Sequence, residues 1–459
     1  MLVLKKWKAH TVFGVLVVLN IVRNFHSYIL FPALRFIIED FDITYGLVGS
    51  LLGAYILLSA FAELLWSFLS DIKGIGRRIL IFVGVLFSGI FSLLCYYSVS
   101  FVVFSLFYLL GGVSLAVIIP FSITIISDVY RSDERTQKLM LLEILGGIGL
   151  ALGFGVSLAA NAYLSSWKES MLILALVGLL VSFSILLVPE PPHGLSEDEI
   201  KDVVARYGYP FSLRKEDFYL IVNTPSNKYI VMQGLFGTIA NGSLQLWLVQ
   251  YLVVEAGFSE TAASIFLAMG SIGALGGILI AKLADMAYVR NPNYKPLIAA
   301  ICSAIEGFFF ILFFLVPIRV DIRTQDFVEA SLEIFARSLR SMPILIGVTF
   351  FFLAMIFNSP VGSIRDSAIT DVNLPEFRAT VRSGADILET FTKGAGIVVV
   401  GFMIDALGNM RVILIMVMLF WFLSAYYWFK LTSTYSIDIK KMRKELLRRK
   451  KEIIEKKSM

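Results

Sequence analysis

Apolar residues along this 459-residue chain gather into long blocks separated by short, charged turns. A helix needs ~20 apolar residues to cross a ~30 Å hydrocarbon layer. About 12 blocks meet that measure, at roughly 10–32, 45–70, 79–98, 100–127, 138–164, 168–189, 229–254, 260–284, 296–318, 341–370, 382–404 and 409–431. The pattern predicts an all-α membrane protein. One long polar loop interrupts it, opening with Glu190-Pro191-Pro192-His193-Gly194, which cannot continue a helix. Ser196 and Glu199 have capping-box spacing, so a short surface helix is expected to follow. The chain thus divides into a first six-helix bundle at 1–189, a central loop at 190–228, a second six-helix bundle at 229–431 and a tail at 432–459.

Composition sharpens this picture. The chain is 58% apolar and 16% charged, with 38 Phe, against ~45–50% and ~25% in a soluble domain. The net charge of +5 matters less than its placement. Alternate loops hold about 28 Lys and Arg against about 7 in the others, which puts the basic loops and both termini in the cytoplasm of a cell-membrane protein. The basic patches then report orientation and lipid headgroups, and no nucleic-acid partner is expected. Cys95 and Cys302 fall in separate spans, so no disulfide is expected. The first block follows Lys5, Lys6 and Lys8 but carries Asn20, Arg23 and Asn24 and lacks a small-residue cleavage site. It reads as a retained span, not a signal peptide.

Polar residues inside the spans are the candidates for chemistry. Asn20, Arg23, Asn24 and Ser27 share one helix face. An arginine at mid-span is costly in lipid and must face water or a partner. Either a structural ion pair or a cavity-lining cation satisfies that demand. The seventh span puts Thr238, Asn241 and Gln245 on one face; the tenth offers Asn358, Ser359, Ser363 and Arg365. The candidate acids are Glu63, Glu143, Asp386 and Glu389. Glu143 and Asp386 could alternately pair with Arg365, and Glu389 is spaced to pair structurally with Lys393. Glu306, in the ninth span, has no assigned role. Gly146, Gly147, Gly149, Gly153 and Gly155 suit close helix packing. The tail from Ile437 alternates Ile439, Met442 and Leu446 with Lys and Arg. It reads as a basic amphipathic helix on the anionic inner leaflet or as a frayed solubilising tail.

The turn after the second span reads Trp66-Ser67-Phe68-Leu69-Ser70-Asp71-Ile72-Lys73-Gly74-Ile75-Gly76-Arg77-Arg78. Its features recur in the second half. Leu69-Ser70-Asp71 is answered by Leu283-Ala284-Asp285, with Arg290 and Lys295 after it. Ser127-Asp128-Val129 is answered by Thr370-Asp371-Val372, and Glu134-Arg135 by Glu376 and Arg378. Glu143 lies 15 residues past Asp128, as Asp386 lies 15 past Asp371. Correspondences in one order are what a duplicated six-span unit leaves.

This turn resembles the Gly-x-x-x-Asp-Arg-x-Gly-Arg-Arg loop of the major facilitator superfamily. Ser67 stands at the first glycine, Asp71 matches the aspartate, and Gly76-Arg77-Arg78 match the end. The resemblance implies two pseudo-symmetric six-helix bundles whose spans 1, 4, 7 and 10 line a cavity. It also implies that Asp71 faces the start of span 11, that Arg77 or Arg78 pairs with Asp128, and that together they gate the cytoplasmic side. Asp285, Arg290 and Asp371 would be a weaker copy. A narrower resemblance, to the spinster-like branch, rests on Ile29-Leu30-Phe31-Pro32, the Glu-Pro-Pro-His-Gly start of the loop, Gly242-Ser243-Leu244-Gln245-Leu246-Trp247 and Arg378-Ala379-Thr380. That branch has Asn-x-x-Asp-Arg in span 1. Here Asn20 is kept, Arg23 holds the acid's place and Asn24 the arginine's, and the branch's span 4 acid falls near Leu115.

The expectation is therefore a monomeric, proton-coupled secondary active transporter for a small organic or amphipathic solute, an anionic one slightly preferred. Asn20, Arg23, Asn24, Thr238, Asn241, Gln245 and Asn358 would contact that solute. An uncoupled facilitator or lysolipid exporter is the alternative, and a membrane sensor is the alternative from another class. No Gly-x-x-x-x-Gly-Lys phosphate loop occurs, and His10, His26 and His193 are too scattered for a metal centre or triad. Neither enzymatic chemistry nor a cofactor is expected.

Overall fold

A computed structural model describes residues 6–43, 45–71, 75–164, 166–212, 217–324 and 327–458. Ile72, Lys73 and Gly74 of the turn and Lys5 of the leader lie outside them. The long helices are numbered in chain order. They are α1 (Lys6–Tyr28), α2 (Tyr45–Asp71), α3 (Arg77–Tyr96), α4 (Phe101–Val129), α5 (Arg135–Leu164) and α6 (Lys168–Leu187). The second series is α7 (Pro225–Val254), α8 (Thr261–Arg290), α9 (Tyr294–Leu315), α10 (Met342–Val372), α11 (Arg378–Leu407) and α12 (Met410–Leu431), followed by a tail helix α13 (Tyr435–Ser458). Among the described residues helices joined by turns and loops make up the chain, and the one β-type pairing is an isolated bridge between Phe258 and Ile322. Eleven of these helices are long and apolar enough to span a membrane. The twelfth, α7, has the length, but Gln233, Thr238, Asn241, Gln245 and Gln250 dilute its apolar run.

Local chemistry sets the breaks. Ser100 caps α4 by accepting from the Val103 N–H. That helix then falls into Phe101–Leu115 and Ile118–Val129. Pro120 has no N–H to give the carbonyl four residues back, at Ala116, where the break lies. The middle of α8 tightens into a 3-10 segment at Ile272–Gly276. There Gly273 lies against the Phe352 backbone of α10, leaving no space for a side chain.

The helices form two compact units. The first comprises Met1–Tyr219, Asn373–Ile387 and Lys441–Met459; the second comprises Leu220–Val372 and Leu388–Lys440. In the first, α1 lies along α5. Gly149 meets the Ile21 carbonyl, and Gly153 faces the backbone of Phe25 and Ile29, so the two helices touch backbone to backbone. Gly147 and Gly155 face open space. The core of this unit includes Leu16, Leu19, Ile81, Val117, Phe121 and Leu142. In the second unit, Tyr251, Phe266, Phe310, Phe313, Phe351 and Trp421 fill the space among α7, α8, α9, α10 and α12.

The central loop and tail depart from expectation. A short helix does follow the loop's start, at Lys201–Tyr207, but Ile200 precedes it with no side-chain cap. Ser196 donates instead to the Ser127 carbonyl at 2.5 Å, a more buried partner than the helix end offers. Nor does the tail lay its apolar side on lipid. Met442, Leu446 and Ile453 are buried, and Ile453 packs with Val203 and Phe211 of the loop.

Candidate functional site

The first unit holds a polar cluster where α2, α4 and α6 end and α3, α5 and α11 begin. Arg77 opens α3, and its side chain is 1% exposed. Its guanidinium donates to Asp128 Oδ2 of α4 at 2.6 Å and to the Pro191 carbonyl at 2.7 Å. Its backbone N–H donates to the Glu190 carboxylate at 2.7 Å, which caps a helix that has no side-chain cap of its own. A Cβ on Gly76 would stand 2.6 Å from that carboxylate, so a larger residue before the helix would push the Glu190 side chain aside. Asp128 also accepts from the Gly194 N–H at 2.7 Å. The Glu-Pro-Pro-His-Gly stretch is thereby tied to both sides of the Arg77–Asp128 pair. Arg78 turns away and donates to the Leu186 carbonyl.

A second centre adjoins it. Glu197 Oε1 accepts from Arg135 at 2.7 Å and from Arg378 at 2.6 Å. Burial alone would push its carboxyl up, but the two guanidiniums override this and hold it at about 2. His193 is pushed well below its usual value by burial and by Arg77 and Arg378. It is therefore neutral where it approaches Asp128. Asp71, the last residue of α2, accepts from the Thr380 N–H at 3.0 Å and the Thr380 hydroxyl at 2.8 Å. Thr380 lies in the first turn of α11, where the unpaired N–H groups attract a carboxylate. One turn further along each helix, the hydroxyls of Ser67 and Ser383 meet at 2.9 Å.

Deeper in the same unit, Arg382 lies 3.3 Å from Glu63 and also contacts Asp386. Asp386 thus pairs on its own helix, one turn away. Glu143 is exposed on α5. Asn20 and Asn24 bond the Leu142 and Gly146 carbonyls of α5 at 3.0 and 2.9 Å. Both amides therefore brace helix packing. Arg23 is half-buried and donates to the Asn24 side-chain oxygen at 3.2 Å. Among the described residues no carboxylate reaches it. Sequence reasoning missed His26, which is 1% exposed and stacked on Tyr108 with ring centroids 4.7 Å apart. Tyr55 completes a three-ring cluster, 5.7 Å from His26 and 5.3 Å from Tyr108. Gly111 makes room for the imidazole, since a Cβ there would lie 2.7 Å from Nε2. The Gly-Gly pair 111–112 was the available signal.

The second unit carries a different cluster at the corresponding positions. Lys295 of α9 is wholly buried. Its ammonium lies 3.4 Å from Asp285, 3.2 Å from Asp371, 2.8 Å from the Ser367 hydroxyl and 4.3 Å over the Tyr288 ring. Tyr435 donates to Asp371 at 2.7 Å. Arg290 is not part of it. That residue ends α8, exposed, and Lys295, the second residue of α9, lies beside the aspartates instead. Arg365 bonds Glu389 at 2.8 Å, and Lys393 donates to Gln245, so the Glu389–Lys393 pair does not form. Thr238 donates to the carbonyls of Gly234 and Leu235 in its own helix, at 2.9 and 3.1 Å. Asn241 is exposed on α7. Asn358 donates to Glu306, a wholly buried acid.

Two helical units of apolar spans, each holding a buried cation paired with an aspartate at one end, define a multi-span membrane protein. The family model of the Major Facilitator Superfamily matches residues 16–368, and the chain belongs to that superfamily. The mouse protein spinster homolog 3 is 24% identical over 316 residues, covering 65% of this chain and 60% of that protein. Spinster homolog 1 of Xenopus laevis is 26% identical over 250 residues, covering 49% and 45%. The matches thus span about half of these relatives' own length. Among solved structures, the proton:xylose symporter XylE superposes with a TM-score of 0.66 at 13% identity, covering 93% of this chain and 96% of that one. The E. coli fucose:proton symporter FucP gives 0.64 at 15%, covering 91% and 98%. The protein is an integral, multi-pass membrane transporter of this fold, not an enzyme.

Proposed function

We propose that this transporter is a proton-coupled secondary carrier of a small organic or amphipathic solute, with anionic solutes preferred. The observation that carries the coupling is the Glu63–Arg382–Asp386 group. Two carboxylates share one guanidinium within the spans. Charge is expensive at membrane depth, and protonation of either carboxylate changes how that guanidinium is shared. A step that separates α2 from α11 would change both the charge and its partner, which is how protonation couples to movement. The two symporters of matching fold agree with this reading. Arg23 supports the anionic preference, since no described carboxylate neutralises it. Within the first unit, Asp71, Arg77, Arg78 and Asp128 are the proposed gate, with Asp285, Lys295 and Asp371 as the second unit's counterpart. The basic ends are assigned to the cytoplasm and the protein to the cell membrane.

Proteoliposomes with an internal pH dye test this reading. Adding the transported solute, found by thermal stabilisation across a panel, should move protons with it. Asp386→Asn should abolish proton movement while solute exchange continues. Accumulation that persists when the pH gradient is collapsed contradicts coupling. Unchanged uptake by Arg23→Ala contradicts the anion assignment.

A further inference from the structure

The segment between α9 and α10 folds into a helix, Phe327–Arg340, that no apolar block announced. It has three distinct faces. Ala330, Ile334 and Ser338 are buried, at 0%, 1% and 5% exposure, and the first two join the second unit's core beside Ile318, Ile322 and Ile344. Glu329, Glu333, Arg337 and Arg340 form a second, charged face, with Arg337 bonded to Glu333 at 2.6 Å. The third face is apolar and open. Val328, Leu332, Phe335 and Leu339 recur at steps of four and three, each 59–69% exposed. A soluble loop helix has no use for such a stripe, and docking on the core has already consumed a different face.

The spans on either side of this helix also expose apolar surface. Ile301, Phe308 and Leu315 run down one side of α9 at seven-residue steps, 49–59% exposed. Met342 opens α10 two residues after the helix ends, and it is 69% exposed. Between them lies an open apolar recess of about 270 Å³, lined by Leu312, Leu315, Val316, Met342, Ile346 and Phe350 among others. We propose that helix Phe327–Arg340 lies in the membrane interface with its Val328–Leu339 stripe immersed in acyl chains, and that the adjoining recess seats one bilayer acyl chain. An amphipathic helix in this position buries its apolar side ~5–10 Å into the headgroup–acyl boundary, and the charged face then lies toward water. The occupant is the bilayer itself because the stripe's helix ends two residues before Met342, which lines the recess together with Leu315 from the exposed apolar side of α9. This inference rests on the membrane fold alone and not on proton coupling or cargo.

Both native cysteines are buried, so a single introduced thiol can be labelled selectively. A bimane at Leu332→Cys or Phe335→Cys, in the full-length protein in phosphatidylcholine nanodiscs, should lose most of its fluorescence to lipids brominated near the carbonyl end of the chain. It should lose less to lipids brominated near the chain terminus and little to aqueous iodide. The same label at Glu333→Cys should show the reverse order between lipid and iodide. Iodide quenching at 332 and 335, or stronger quenching by the deep bromine, overturns the interfacial placement. Protection from all quenchers, with a dimeric mass, overturns it in favour of a second copy of the chain. The unmodified protein provides an independent reading. A phosphatidylcholine with a diazirine on its upper acyl chain should attach within 328–350, and adducts confined elsewhere contradict the recess.

Discussion

The two units close their equivalent ends with different cations. In the first, Arg77, Arg135 and Arg378 reach out to Asp128, Glu197 and the Pro191 carbonyl, and so bind loop, helix ends and the start of α11 together. In the second, one ammonium, Lys295, sits between Asp285 and Asp371, with Ser367 and Tyr435 completing the shell. A guanidinium presents several donors in a planar fork, whereas an ammonium is a compact point charge. The arginine cluster divides its donors among carboxylates and a loop carbonyl, while in the second unit one ammonium gathers α8, α9 and α10, and the tail joins through Tyr435. Both ends keep the aspartates and differ in the cation and in how many cations they use.

The largest expected effect comes from leaving buried carboxylates without a cation. Arg77→Ala and Lys295→Ala should each lower stability by about 3–5 kcal/mol, read as denaturant unfolding in mild detergent. A fall for one and none for the other would break the equivalence of the two ends. Acid should act next, and on the first unit. The Glu197 carboxyl is held at about 2, below its usual 4.5. Its contribution is complete above pH 4.5 and is lost as pH falls toward 2, an amount on the order of 3 kcal/mol. His193 is also depressed, so it too favours the folded state less as pH falls below 6.5. Protection from hydrogen exchange across 190–200, relative to the intrinsic rate at each pH, should thus fall on acidification, and Glu197→Gln should flatten that fall.

Exchange of the cation type is milder. Arg77→Lys keeps the charge beside Asp128 but gives up the bond to the Pro191 carbonyl, a loss of about 1–2 kcal/mol. Protease cleavage in the 190–200 loop should report it. The tail contributes least per contact. Lys450 pairs with Asp202 at 2.9 Å on the surface, and Lys450→Ala should change stability by about 0–1 kcal/mol. Arg449 is more buried, paired with Glu376 and lying 4.2 Å over the Phe211 ring. Its removal should exceed that of Lys450.

The membrane fold was legible because twelve long apolar blocks have few other uses, and the duplicated Asp and Arg positions marked the ends. What escaped is what depends on who lies opposite. Asn20 and Asn24 were recognisable as a polar face, but their bonds to α5 carbonyls required knowing where Gly146 sits. Lys295 stands in Arg290's expected place because a buried ammonium at the start of α9 reaches both aspartates, and spacing alone does not rank the two. The tail's amphipathic pattern was visible, but not that the central loop covers it. Helix Phe327–Arg340 was missed because three narrow faces blur a periodicity sought as two.

The claim that the α2–α11 contact of the first unit must open during transport has a direct test. Ser67 and Ser383 face each other at 2.9 Å, so Ser67→Cys with Ser383→Cys can be joined by oxidation. Transport by the joined protein should stop and should return on reduction, while either single variant keeps working under oxidant. Full-rate transport with the two helices cross-linked would contradict the account.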